Sequence, residues 1–119
     1  MRRGEDLRTR TRQFAIEVVR FCRGLPSTFE ARRLGAQLFD AGTSVAANYR
    51  AACRARSRPD FIAKIGIVIE EADESEFWLD VLVATGIVQA SAANTLRCEA
   101  LELVAIFTTS QKTARANQD

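Results

Sequence analysis

Apolar residues recur along the chain in steps of three and four, the spacing that lines side chains along one face of an α-helix. Leu7, Phe14, Val18, Phe21 and Leu25 form one stripe, and Leu34, Leu38, Ala41, Val45, Tyr49 and Ala52 a second. Phe61, Ile65, Val68, Ala72, Leu79 and Val83 form a third, and Leu96, Ala100, Leu103 and Phe107 a fourth. Strict alternation is absent, so no strand is expected. The stripes are separated at Gly24-Leu25-Pro26, at Ser57-Arg58-Pro59 and at Gly86. Ser27 stands three residues before Glu30, the spacing of a capping box. Ser57 stands three residues before Asp60, with Pro59 in the first turn. Gly86 suits the left-handed residue that follows a helix. The pattern predicts one all-α domain over residues 1–119, with helices at about 7–23, 28–56, 59–85 and 92–114. Loops this short make consecutive helices antiparallel neighbours, giving an up-down-up-down four-helix bundle. The last residues, 116–119, are expected to fray.

Gly42, inside Ala41-Gly42-Thr43-Ser44-Val45-Ala46-Ala47, interrupts good helix formers. A mid-helix glycine costs about 1 kcal/mol relative to alanine. Close approach of a neighbouring helix explains it, because the stripe stays in phase through Val45 and Tyr49; a kink at this point is the alternative.

Charge divides the chain. Residues 1–58 carry 13 basic and 5 acidic side chains, whereas residues 59–119 carry 4 and 10, so the net +2 conceals a strongly basic half and an acidic one. Arg50, Arg54, Arg56 and Arg58 fall within nine residues. At helical spacing continued past the end of helix two, Arg50, Arg54 and Arg58 line one stripe. Six carboxylates lie between Glu70 and Asp80 on helix three. That helix has a second seam away from its core stripe, made of Ile67, Glu71, Glu74, Trp78 and Leu82, with Glu70 beside it. A helix apolar on two sides is covered on two sides, and four helices provide only one internal layer. Ile67, Glu70, Glu71, Glu74, Trp78 and Leu82 are therefore candidates for a subunit interface. The alternative is that Trp78 extends the edge of the bundle core. The arginines could meet Glu70, Glu71 or Glu74 within one chain or between chains.

Composition removes most chemistries. There is no histidine, so histidine general-base catalysis and histidine-ligated metals are excluded. The six glycines stand apart, so no phosphate-binding glycine loop can be drawn. Cys22, Cys53 and Cys98 form no CxxC pair and are expected to be small buried hydrophobes of a reduced protein. Glu70, Glu71 and Glu74 place carboxylates on one helical face, as do Glu99 and Glu102 further on. A bundle metal site of this kind normally adds a Glu-x-x-His, which is missing. No catalytic residue, metal ligand or cofactor is assigned. No signal peptide or membrane-spanning run is visible, so a soluble cytoplasmic protein is expected.

Several stretches resemble one bacterial family. They include Gly42-Thr43-Ser44-Val45-Ala46-Ala47-Asn48-Tyr49-Arg50, Phe61-Ile62-Ala63-Lys64-Ile65-Gly66-Ile67, Glu70-Glu71-Ala72-Asp73-Glu74 and Phe77-Trp78-Leu79. The family comprises small four-helix bundles encoded in intervening sequences of large-subunit ribosomal RNA genes, sometimes labelled S23 ribosomal protein. It also includes the accessory protein of diversity-generating retroelements. The resemblance implies a homopentamer of bundles around a central channel. It implies, for retroelement members, binding of nucleic acid through basic surfaces and association with a reverse transcriptase. The positions that carry over are Arg50, Arg54, Arg56 and Arg58 as the basic surface, and Glu70, Glu71, Glu74 and Trp78 at or near subunit contacts. The retroelement branch is strongly basic; here the pI is about 8.6 and the second half is acidic. Two functions are thus expected to compete: an RNA- or DNA-associated accessory protein, and a structural oligomer whose charges serve assembly alone.

Overall fold

The computed structural model describes the backbone of residues 3–117 and the side chains of residues 6–117. Four helices form: α1 (Arg3–Arg23), α2 (Phe29–Ala52), α3 (Arg58–Ala84) and α4 (Ala90–Ala116). There is no strand among the described residues. Helix α4 reaches Ala116, and of the end expected to fray, residues 118 and 119 lie outside the described part. Cross-helix contacts fix the directions. Cys22 Sγ lies 3.5 Å from the Gly35 carbonyl, Arg97 reaches Glu76, and Gln111 Nε2 donates to the Ile62 carbonyl at 3.1 Å. Each pairs the start of one helix with the end of its neighbour, the antiparallel order that short loops require. Helix α3 packs against both α2 and α4, whereas among neighbouring helices α1 and α4 touch least.

Local chemistry sets most helix ends. Ser57 caps α3, its hydroxyl accepting from Asp60 N at 3.2 Å, with Pro59 in the first turn as expected. Gly86 adopts φ +79° after α3, and Ile87 N closes back onto the Leu82 carbonyl at 3.1 Å. That is the glycine stop the sequence predicts. At α2 the cap is Thr28 rather than Ser27: its hydroxyl accepts from Ala31 N at 3.2 Å.

The other end of α2 differs more. The helix stops at Ala52, and Arg54 and Ala55 fold back onto the carbonyls of Ala51 and Ala52. The Cys-Arg-Ala-Arg run has good helix propensity, which is why periodicity extends it to residue 56. Three of its four side chains, Cys53, Arg54 and Arg56, are exposed, however, and packing rather than propensity sustains most protein helices.

The core follows the stripes. Phe14 and Val18 from α1, Leu38, Val45 and Tyr49 from α2, Ile65, Val68, Ala72 and Leu79 from α3, and Leu96, Ala100, Leu103 and Phe107 from α4 form one buried cluster. Gly42 is a close approach and not a kink. A Cβ there would lie 2.7 Å from both Val18 methyls, so only hydrogen lets α1 and α2 meet at this spacing. On the open side, α1 and α4 leave a cleft of about 1030 Å³ lined by Phe14, Phe21 and Leu96. One strap crosses it: the Arg10 guanidinium donates from Nε and Nη2 to the two Glu99 oxygens at 2.7 Å each. This bidentate bond raises the Arg10 pKa further, the partial burial opposing it.

The cysteines depart from expectation. Cys22 is half-buried, but Cys53 and Cys98 are exposed. Cys53 falls just beyond α2, and Cys98, midway between the buried Leu96 and Ala100, turns outward. Burial pushes the Cys22 thiol up to about 11. Since the thiolate is the reactive species, Cys53 and Cys98 should label rapidly in the native protein at pH 8 and Cys22 only after unfolding. A thiol count of two before denaturant and three after it checks this; rapid native labelling of Cys22 would contradict the packing of α1 on α2.

Candidate nucleic-acid and subunit interfaces

Because α2 ends at Ala52, the four arginines do not follow one helical line. Arg50 occupies the last turn of α2, Arg54 and Arg56 the connecting loop, and Arg58 the first position of α3. All four are exposed and cluster at one end of the bundle. Two depressions open there, separated by Tyr49. Arg58 borders one of about 540 Å³, with Thr109, Ser110 and Thr113 from α4. Arg50 borders the other, about 320 Å³, with Arg8 and Arg12 from α1. Sequence reasoning missed Arg8 and Arg12. Their i, i+4 spacing was a visible signal, but the helix they would face was not.

Within the chain the arginines do not meet Glu70, Glu71 or Glu74, although Arg56 lies near enough to Asp60 in the first turn of α3 to help hold its carboxylate charged. Among the described residues, no ion pair joins Arg50, Arg54, Arg56 or Arg58 to Glu70, Glu71 or Glu74. The acids on the α4 side of α3 have another partner: Arg97 Nη2 lies 2.7 Å from Glu76 and 3.2 Å from Asp80. Asp60 is held below the usual carboxylate range by its hydrogen bond from Lys64, 2.6 Å away. Among the described residues no three His, Cys, Asp or Glu side chains converge to hold a metal, and Glu99 and Glu102 both face Arg10.

On the outer side of α3, Ile67 and Phe77 are 43% and 51% exposed, as Phe29, Phe39 and Leu101 are on the other helices, but here they lie beside Trp78 and the seam carboxylates. Trp78 is half-buried, edge-on to Phe77 at 4.9 Å, and its indole donates to Glu74 at 3.2 Å. It both packs on the core and borders the outer seam. Glu70 is exposed, while Glu71 and Glu74 are half-buried. Partial burial raises the Glu71 pKa, reinforced by Glu74 and Glu70 and opposed by a hydrogen bond from the Ser44 hydroxyl. Leu82 does not belong to this seam. It is fully buried in the bundle's own core. Its helical angle lies between seam and stripe, and α3, gripped by two neighbours, buries a wider arc than one stripe describes. The surface candidates that remain are Ile67, Glu70, Glu71, Glu74 and Trp78.

No helix among the described residues is long and apolar enough to cross a membrane. Among curated proteins nothing matches the chain. A solved structure that resembles it closely is a protein of unknown function from the S23 ribosomal protein family of Bacteroides thetaiotaomicron. It is 28% identical, aligns over 92% of this chain and 97% of that one, and superposes with a TM-score of 0.85. The family model for the 23S rRNA-intervening sequence protein matches residues 6–109, nearly the whole bundle with its caps, core and both surfaces. The chain thus belongs to the 23S rRNA-intervening sequence protein family.

Proposed function

We propose that this protein is a non-catalytic homo-oligomer, assembled as a pentamer of bundles, that associates with RNA or DNA through its arginine-rich end. The observation that carries the reading is the exposure of Arg50, Arg54, Arg56 and Arg58 at one end, with none of them paired to Glu70, Glu71 or Glu74 among the described residues. Arginine is suited to phosphate because its planar fork donates two parallel bonds to oxyanions. Few aromatic rings accompany these arginines, so contacts to phosphate rather than base stacking are expected to dominate, with little sequence preference. Replacing Arg54 and Arg58 with alanine should lower affinity for a labelled 20-nucleotide RNA and leave the oligomer mass unchanged. If the variant instead loses assembly and the wild-type protein binds no RNA, the arginines are subunit contacts.

The exposed Ile67 and Phe77 support the assembly half of the reading. Desolvated aromatics dominate interface energetics, so Trp78→Ala should shift the mass toward the 13.2 kDa monomer in light scattering. A wild-type protein already monomeric at micromolar concentration would contradict it.

A further inference from the structure

The depression between α1 and α2 is lined by three arginines from two helices: Arg8 and Arg12 on α1 and Arg50 on α2. Its floor is Ala46, Ala47 and the buried Tyr49, and no carboxylate lines it. Arg8, Arg12 and Arg50 are all exposed, and none lies within an ion pair's reach of an acid among the described residues. The contrast with Arg10 is local. Two positions along the same helix, it is clamped by Glu99 and bridged to Glu102. Like charges at i, i+4 repel on a helix, and Arg50 adds a third positive charge from across the groove. Such a cluster is relieved by an anion. The alanines leave open space where larger side chains would fill the groove. At about 320 Å³ it is at the small end of ligand pockets, room for a tetrahedral oxyanion with several waters.

We infer that this cleft is a phosphate-binding site, one that seats a phosphate of a nucleic-acid backbone between α1 and α2. It extends the basic end from the α2–α3 turn onto α1, and in that respect rests on the nucleic-acid reading above. The same chemistry would accept a free phosphate or a phosphomonoester, and the test separates these sources.

The experiment compares the full-length wild type with Arg8→Gln/Arg12→Gln and with Ala47→Glu, which places a carboxylate among the guanidiniums. All three altered positions are exposed, and circular dichroism verifies folding. The probes are a labelled 20-nucleotide RNA, followed by anisotropy, and inorganic phosphate, followed by thermal shift against chloride at equal ionic strength. Both variants should weaken RNA binding several-fold. In the glutamine variant the slope of log K against log salt should shrink by about 0.7 for each phosphate that is no longer neutralised. Phosphate should raise the wild-type melting temperature more than that of either variant. Phosphate-specific stabilisation abolished in both variants, without any effect on RNA, would keep the phosphate site but overturn its backbone ligand. Loss of RNA binding only in Arg54→Ala/Arg58→Ala, with no phosphate effect at the cleft, would overturn the site and leave the nucleic-acid reading standing. No RNA binding by the wild type would end that reading, and the phosphate arm would still decide the cleft.

Discussion

Phe107→Ala is expected to remove about 3–5 kcal/mol of stability, the range for deleting a fully buried phenylalanine. Phe107 has no exposed surface and packs its ring 5.0 Å from that of Tyr49, joining α4 to α2 across the core. The neighbouring buried residues belong to four rigid helices and cannot collapse fully into the space left behind. A domain of this size has roughly 6–18 kcal/mol in total, so the loss is a large share. In thermal unfolding it should appear as a fall of at least about 10 °C. A change below about 1 kcal/mol would mean that α4 does not pack as described.

The second large effect is expected at Gly42. Propensity alone favours replacing a mid-helix glycine, by up to about 1 kcal/mol for alanine. Packing opposes it: the new Cβ would press on two methyls of Val18, a residue with no exposed surface and no room to withdraw. Overpacking typically costs about 1–3 kcal/mol. Gly42→Ala should therefore be destabilising on balance, and Gly42→Leu should lose about 3 kcal/mol or more. Val18→Ala removes both methyls, so combining it with Gly42→Ala should cost less than the two single changes together. Gly66 provides the contrast. A Cβ there meets Gln111 Nε2 at 3.2 Å, so the end of one long side chain, which donates to the Ile62 carbonyl, has to give by a few tenths of an ångström against the gain in helix propensity, and Gly66→Ala should be close to neutral. Urea midpoints for the five variants check both claims.

The features legible in the sequence share a local cause. Ser57, Pro59 and Gly86 act within one helical turn, and the stripes need only a repeat of three and four, so four helices and most core positions follow from them. The close approach at Gly42 is readable because the stripe continues through it. What is not legible depends on neighbours distant in the chain. The end of α2 is decided by what the Cys-Arg-Ala-Arg run can pack against, not by its propensity. Leu82 is buried because α3 has helices on two sides, a breadth of packing that periodicity does not give. Cys98 lies between buried positions, so its helix reads as apolar while its own side chain points outward. Arg10 and Arg97 find carboxylates on α4 and α3, whereas Arg50 finds Arg8 and Arg12, and no spacing rule distinguishes those outcomes before the helices are placed.

The salt dependence of binding tests the functional account most directly. Wild-type protein is titrated onto a labelled single-stranded RNA at a series of salt concentrations from about 20 to 200 mM, and log K is plotted against log salt. Three or four phosphates neutralised by Arg50, Arg54, Arg56 and Arg58 should give a straight line of slope about −2 to −3, with affinity near micromolar at the upper end. A flat line, or no binding at 20 mM salt, would contradict an arginine-rich end that holds phosphates.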